Sequence, residues 1–266
     1  MPGPSALTFN GIRVIGAAGM LEFNLLFFAV AIPATVFAGI SKGGFGSGVA
    51  FASSSILALI LTPTQALALM LPLLMLIDVA TLRPYWRRWS WPDARVLILG
   101  GVPGVVLGIW LFQVTNDDVL RLLIGAISLA FVAWQMMKPP KALHRLPASA
   151  GVLAGIVAGF TSFVSHAGGP PAAVYLLSQR LTKTQFQATT VLLFWIINIA
   201  KFIPYAWLGL FTMQTTLANL MLAPFALLGA WLGVKAHHMV SERLFFGVTY
   251  VLLSATGGKL IWDALN

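Results

Sequence analysis

Four ionisable residues sit inside apolar stretches of the chain: Lys42, Asp78, His166 and Lys201. Lys42 belongs to ISKGGFGSG (40–48), with LLFFAVAIPATVFAGI before it and VAFASSSILALIL after it. A charge there needs compensation. Glycines that interrupt a helix leave backbone N–H groups free at the start of the next one, an arrangement that holds anions. Ser41, Lys42, Gly43, Gly44, Phe45 and Gly46 are therefore candidates to bind an anionic group. A second cluster, TSFVSHAGGPP (161–171), offers Ser165, His166, Gly168, Gly169 and Pro170, with Pro170 and Pro171 suited to the first turn of a following helical limb. Lys42 brings a full charge to one cluster and His166 a titratable one to the other. The competing reading is that the glycines serve tight helix packing, that Lys42 snorkels to an interface, and that His166 is a packing histidine.

Asp78 is the only acid deep within an apolar run, and an intramembrane acid is a functional candidate by default. Lys201 lies three residues after Asn198, on one helical face. A pair between Asp78 and Lys201 would neutralise both or serve as a proton site. Gln65 and Gln185, each in LT-x-TQ, either line a cavity or cap helices beside their threonines, and capping suits Thr62, Thr64, Thr182 and Thr184. The spacings GVVLG (104–108) and GAWLG (229–233) read as packing faces.

Enzymatic chemistry finds no comparable support. The chain has four histidines, His237 and His238 adjacent, and neither an HExxH metal spacing nor a nucleophile motif. No metal or cofactor site is expected. With no cysteine, disulfides and thiolate metal ligands are excluded.

The elements that must position these residues follow from composition. The 266 residues are 59% hydrophobic and 9% charged, with mean hydropathy +0.90. A soluble domain carries roughly 25% charged residues, so an all-α integral membrane protein is expected. Apolar segments recur at about 21–40, 45–61, 66–82, 96–114, 119–137, 148–166, 169–179, 187–203, 215–234 and 244–262. The segment 169–179 is too short to cross a bilayer and reads as a re-entrant limb. The N-terminus lacks the pattern of a cleaved signal peptide, so the first helix is expected to remain. The net charge of +9 is explained by basic loops rather than by nucleic acid. Lipid is the expected surrounding, and self-association is left open.

The chain repeats itself. LTPTQALALMLPLLMLIDVATLRPY (61–85) aligns without gaps on LTKTQFQATTVLLFWIINIAKFIPY (181–205), with ten identities in twenty-five positions and Asp78 opposite Asn198. VLGIWL (106–111) answers LLGAWL (227–232), and GGF (43–45) answers GGP (168–170). Two repeats, 1–137 and 148–266, are thus joined by a basic cytoplasmic linker at 138–147. Arg83, Arg87, Arg88 and Arg95 crowd the loop 82–95, whereas YAWLGLFTMQT carries no charge, which places equivalent loops on opposite faces. A glycine-rich hairpin plus three crossing helices per repeat satisfies this, giving about 8–10 membrane segments in two inverted repeats, a common transporter plan. Tyr85, Trp86, Trp89 and Trp91 fit an interfacial aromatic belt.

The order AGISKGGFGSG, LTPTQALALM, a basic loop, GVPGVVLG and AGIVAGFTSFVSHAGGPP resembles the TauE/SafE sulfite exporter family over nearly the whole chain. The family's glycine-rich segments correspond to Gly39, Gly43, Gly44, Gly46 and Gly48, and to Gly155, Gly159, Gly168 and Gly169. Many members show three glycines in a row where this chain has Lys42, Gly43, Gly44 and Phe45, and a lysine there favours an anion. The resemblance implies a multi-pass permease of the bacterial inner membrane that exports sulfite, sulfoacetate or a related sulfur oxyanion or organosulfonate. From the residues, a passive anion channel is the alternative, and an intramembrane enzyme using His166 as a base the more distant one.

Overall fold

A computed structural model describes residues 8–9, 12–13, 21–45, 50–137, 145–236 and 242–266. A two-residue antiparallel pairing, β1 (Thr8–Phe9) with β2 (Ile12–Arg13), precedes an otherwise helical chain. Ten α-helices follow among the described residues: α1 (Leu25–Ile40), α2 (Ala52–Leu57), α3 (Pro63–Leu82), α4 (Trp91–Val114), α5 (Asp117–Met136), α6 (Ala148–Ser165), α7 (Gly169–Ser178), α8 (Lys183–Trp207), α9 (Met213–Ala236) and α10 (Glu242–Leu265). Seven spans, Leu25–Phe45, Pro63–Leu82, Trp91–Val114, Asp117–Met136, Ala148–Ser165, Lys183–Trp207 and Met213–Lys235, are long and apolar enough to cross a membrane. The protein is an integral, multi-pass membrane protein.

The elements recur in order. A long helix, a short one and three long ones make α1–α5, and the same series makes α6–α10. The shared LT-x-TQ has a structural reason. Thr62 and Thr182 both open their helices with a capping box in which Gln65 and Gln185 return the bond, so two orphan N–H donors are satisfied reciprocally at each start. The short limbs α2 and α7 fold back against α1 and α6, as the length of 169–179 predicts. The segment expected as a helix over 45–61 differs: only Ala52–Leu57 is helical, and the four residues from 58 to 61 form the turn into α3.

Packing exchanges elements between the two series. α1 lies on α9 and α6 lies on α4; α3 meets α8, and α5 meets α10. Backbone contact requires glycine at these crossings. A Cβ on Gly39 would lie 2.5 Å from the Ala230 nitrogen, and one on Gly159 would lie 2.0 Å from the Gly101 oxygen. Gly104, Gly229 and Gly233 are equally constrained, so GVVLG and GAWLG are helix-packing faces. The helices α3 and α8 run antiparallel: Leu82 at the end of α3 packs with Ala188 and Val191 near the start of α8, and Asp78, further back along α3, meets Asn198, further on along α8.

Candidate functional site

The first glycine cluster does not break into a loop at Ser41. Helix α1 runs on through a π-helical turn, Ser41–Phe45, whose wider winding turns the Lys42 side chain inward. A Cβ on Gly44 would fall 2.3 Å from the Gly233 oxygen, and one on Gly43 would fall 2.6 Å from the Ala230 oxygen, so both glycines seat this turn on α9. Ser41 is fully buried, and Phe45 packs among Phe37, Ile40, Phe51 and Phe131 rather than facing the polar centre. Gly46 and Gly48 lie outside the described residues.

Lys42 is 2% exposed, and its Nζ stands 2.5 Å from Oδ1 of Asp78, which is fully buried. The partner that Lys42 meets in the structure is a carboxylate from α3, where the sequence suggested a bound anion would compensate it. The expected pair between Asp78 and Lys201 is corrected by the same contact. Asp78 spends its second oxygen on Asn198, whose side-chain amide donates at 2.7 Å. Both oxygens of this carboxyl group thus face nitrogen atoms, Nζ of Lys42 and the side-chain amide of Asn198.

Lys201, fully buried on α8, turns to the other hairpin. Its Nζ donates to the Ser162 carbonyl at 3.0 Å, to the Ser162 hydroxyl at 3.0 Å and to Nδ1 of His166 at 2.9 Å. Three acceptors match the three protons of an ammonium group. The tautomer of His166 follows from its partners. Nε2 lies 3.1 Å from the Leu67 carbonyl, which can only accept, so Nε2 carries the proton and Nδ1 receives Lys201. His166 also ends α6 with φ +59°, a left-handed C-cap at which glycine is the least strained residue.

The polar groups of Lys42, Ser162, His166 and Asn198, with Ala50, Leu74 and Phe194, enclose a cavity of about 10 Å³, room for about one water molecule. A group with three oxygens exceeds it, so the centre is closed. Each hairpin is latched. Tyr85 donates its hydroxyl to the Gly43 carbonyl at 3.0 Å, and Tyr205, its equivalent 120 positions later, donates to the Phe163 carbonyl at 2.6 Å. Gln187 adds a bond to the Lys42 carbonyl at 2.6 Å. Burial raises the Tyr85 phenol above its ordinary range, which keeps it a donor. Tyr85 therefore leaves the expected aromatic belt, while Trp86 and Trp91 are exposed as a belt requires.

The structure brings together Lys42, Asp78, His166, Asn198 and Lys201 from the predicted set. The remaining residues stand elsewhere. Gln65 and Gln185 cap helices, and Gln65 also borders a separate cavity of about 500 Å³ with Glu22, Asn24 and Arg121. Ser165 is buried and bonds the Thr161 carbonyl, and its own carbonyl accepts from Ser54 at 3.1 Å, joining the two hairpins. Gly168 packs against Ala158 and Phe194, and Pro170 borders a groove beside Phe131 and Trp134. The first turn of α7 offers few donors, because Pro170 and Pro171, following Gly169, have no N–H.

Sequence reasoning missed Ser162, Gln187 and the two tyrosine latches. A signal existed for Ser162. AGI (38–40) and AGF (158–160) align at the same offset of 120 as the following helices, which sets Ser162 against Lys42. The tyrosine bonds follow this register, Gly43 with Phe163, rather than GGF with GGP.

The family model for the sulfite exporter TauE/SafE matches residues 31–260. The chain belongs to the TauE/SafE family. That match begins within α1, ends within α10 and takes in every residue of the buried centre. Neither a curated protein nor a solved structure matches the chain. As a TauE/SafE member the chain is a membrane transporter-like protein, which accords with the seven spans.

Proposed function

We propose that this TauE/SafE protein is a carrier that moves a small anion, a sulfur oxyanion or organosulfonate, out across the bacterial inner membrane by alternating access. Its two repeats, 1–137 and 148–266, are inverted relative to one another and joined by a linker on the cytoplasmic face. The observation that carries this reading is the partnership of Lys201. A fully buried ammonium is held by a carbonyl, a hydroxyl and a neutral imidazole, while the one carboxylate nearby belongs to Lys42. Such a charge is costly in a membrane interior, and an anion entering beside it lowers that cost. The latched hairpins supply two closures that can open separately, as alternating access requires.

Efflux of sulfite from proteoliposomes tests the reading. Wild-type protein is expected to release sulfite and to show counterflow, the uphill movement of labelled sulfite driven by unlabelled sulfite opposite, which a channel cannot support. Lys201→Met is expected to lose both. A Lys201→Met protein that transports at the wild-type rate overturns the assignment.

A further inference from the structure

We propose that Asp78 fixes the charge of the anion this site accepts at one. The inference rests on the anion-carrier reading above and adds the substrate's charge class. The centre contains four ionisable side chains, all at most 6% exposed: Lys42, Asp78, His166 and Lys201. Their contacts suit a charged pair at Lys42 and Asp78, an ammonium at Lys201 and a neutral imidazole at His166. Asp78 faces two nitrogen atoms, Lys42 faces that carboxylate, Lys201 finds three acceptors, and His166 carries its single proton on Nε2. Among the described residues, the other buried charged side chain is Asp93, which lies at the start of α4 under the Ser90 and Tyr175 hydroxyls, away from the centre.

The sum is two positive charges against one negative. A monoanion brings the closed centre to neutrality, whereas a dianion leaves it with a surplus negative charge in an apolar surround, where net charge is disfavoured. Lys42, Ser162, His166 and Asn198 all border the central cavity, so an anion there meets both lysine networks at once. Asp78 stands behind this lining, already bonded to Lys42 and Asn198, and acts through them as a specificity-determining residue. Removing its charge leaves the centre two positive charges, the complement of a dianion.

Methanesulfonate and sulfate form a matched pair of probes. Both are tetrahedral about sulfur and fully ionised at neutral pH, and they differ by one methyl-for-oxygen exchange and one charge. Calorimetry on the purified full-length protein is expected to show wild type binding methanesulfonate about tenfold or more tightly than sulfate. Asp78→Asn is expected to reverse the preference, and Asp78→Glu, which keeps the charge, to retain it. Wild-type protein that binds sulfate as tightly as methanesulfonate overturns the proposal without any variant, while leaving the anion reading intact. An Asp78→Asn protein with the wild-type ratio also overturns it. Binding of neither anion by wild type removes the carrier reading itself and this proposal with it.

Discussion

Asp78 and Asn198, equivalent residues 120 positions apart, are hydrogen-bonded to each other at 2.7 Å. Equivalent residues can touch only where the axis that exchanges the two halves passes between them. In the inverted arrangement proposed above, that axis runs across α3 and α8, and equivalent loops emerge on opposite faces. Single cysteines at Arg88, before α4, and at Met213, which starts α9, are expected to react with an impermeant maleimide from opposite sides of sealed vesicles. The cysteine-free chain makes the assay clean. Labelling of both from one side defeats the inverted arrangement.

Breaking the buried ion pair and removing it have different consequences. Lys42→Met strands the Asp78 carboxylate, and losing one partner of a buried pair costs about 3–5 kcal/mol. The double variant Lys42→Met, Asp78→Leu leaves no stranded charge and is expected to recover most of that loss. Thermal unfolding in detergent reads the difference. Equal destabilisation of single and double variants contradicts the pairing.

The glycine crossings make a sharper contrast. An alanine at Gly159 meets the Gly101 backbone, which cannot move aside as a side chain can, and overpacking of this kind costs about 1–3 kcal/mol. Gly247 on α10 has open space where its Cβ would go, so Gly247→Ala is expected to be neutral or slightly stabilising. Similar melting temperatures for both variants contradict the close approach of α4 and α6.

The membrane class, the short limb at 169–178 and the capping boxes were all legible in the sequence, because each depends on local composition or spacing. Partner choice was not. Asp78 and Lys201 each looked available to the other, and nothing in the one-dimensional pattern reveals that a π-helical turn at Ser41–Phe45 delivers Lys42 to Asp78 first. The glycines of that turn signalled a special backbone correctly. Their reason is the α9 surface they press against, which lies nearly two hundred residues further along the chain. Tyr85 misled for a related cause: it neighbours three tryptophans and several arginines in sequence, yet its ring is buried and its hydroxyl reaches Gly43.

The two tyrosine latches yield a directional test. A cysteine replacing Leu74 lines the central cavity. Tyr85→Phe releases the first hairpin and is expected to raise labelling of that cysteine from the face bearing the basic loop. Tyr205→Phe is expected to raise it from the opposite face. Each loses one hydrogen bond, about 1 kcal/mol, a shift of roughly fivefold in the open population. Enhancement from the same face in both variants contradicts the assignment of one latch to each closure.

The glycine-lined crossings carry a historical implication. Each half surrenders its first helix to the other, α1 resting on α9 and α6 on α4, so neither set of five helices forms a self-sufficient body. A half-length precursor of this fold could not have buried its own glycine faces as a monomer. Such a half could bury those faces only against a second copy with exchanged arms.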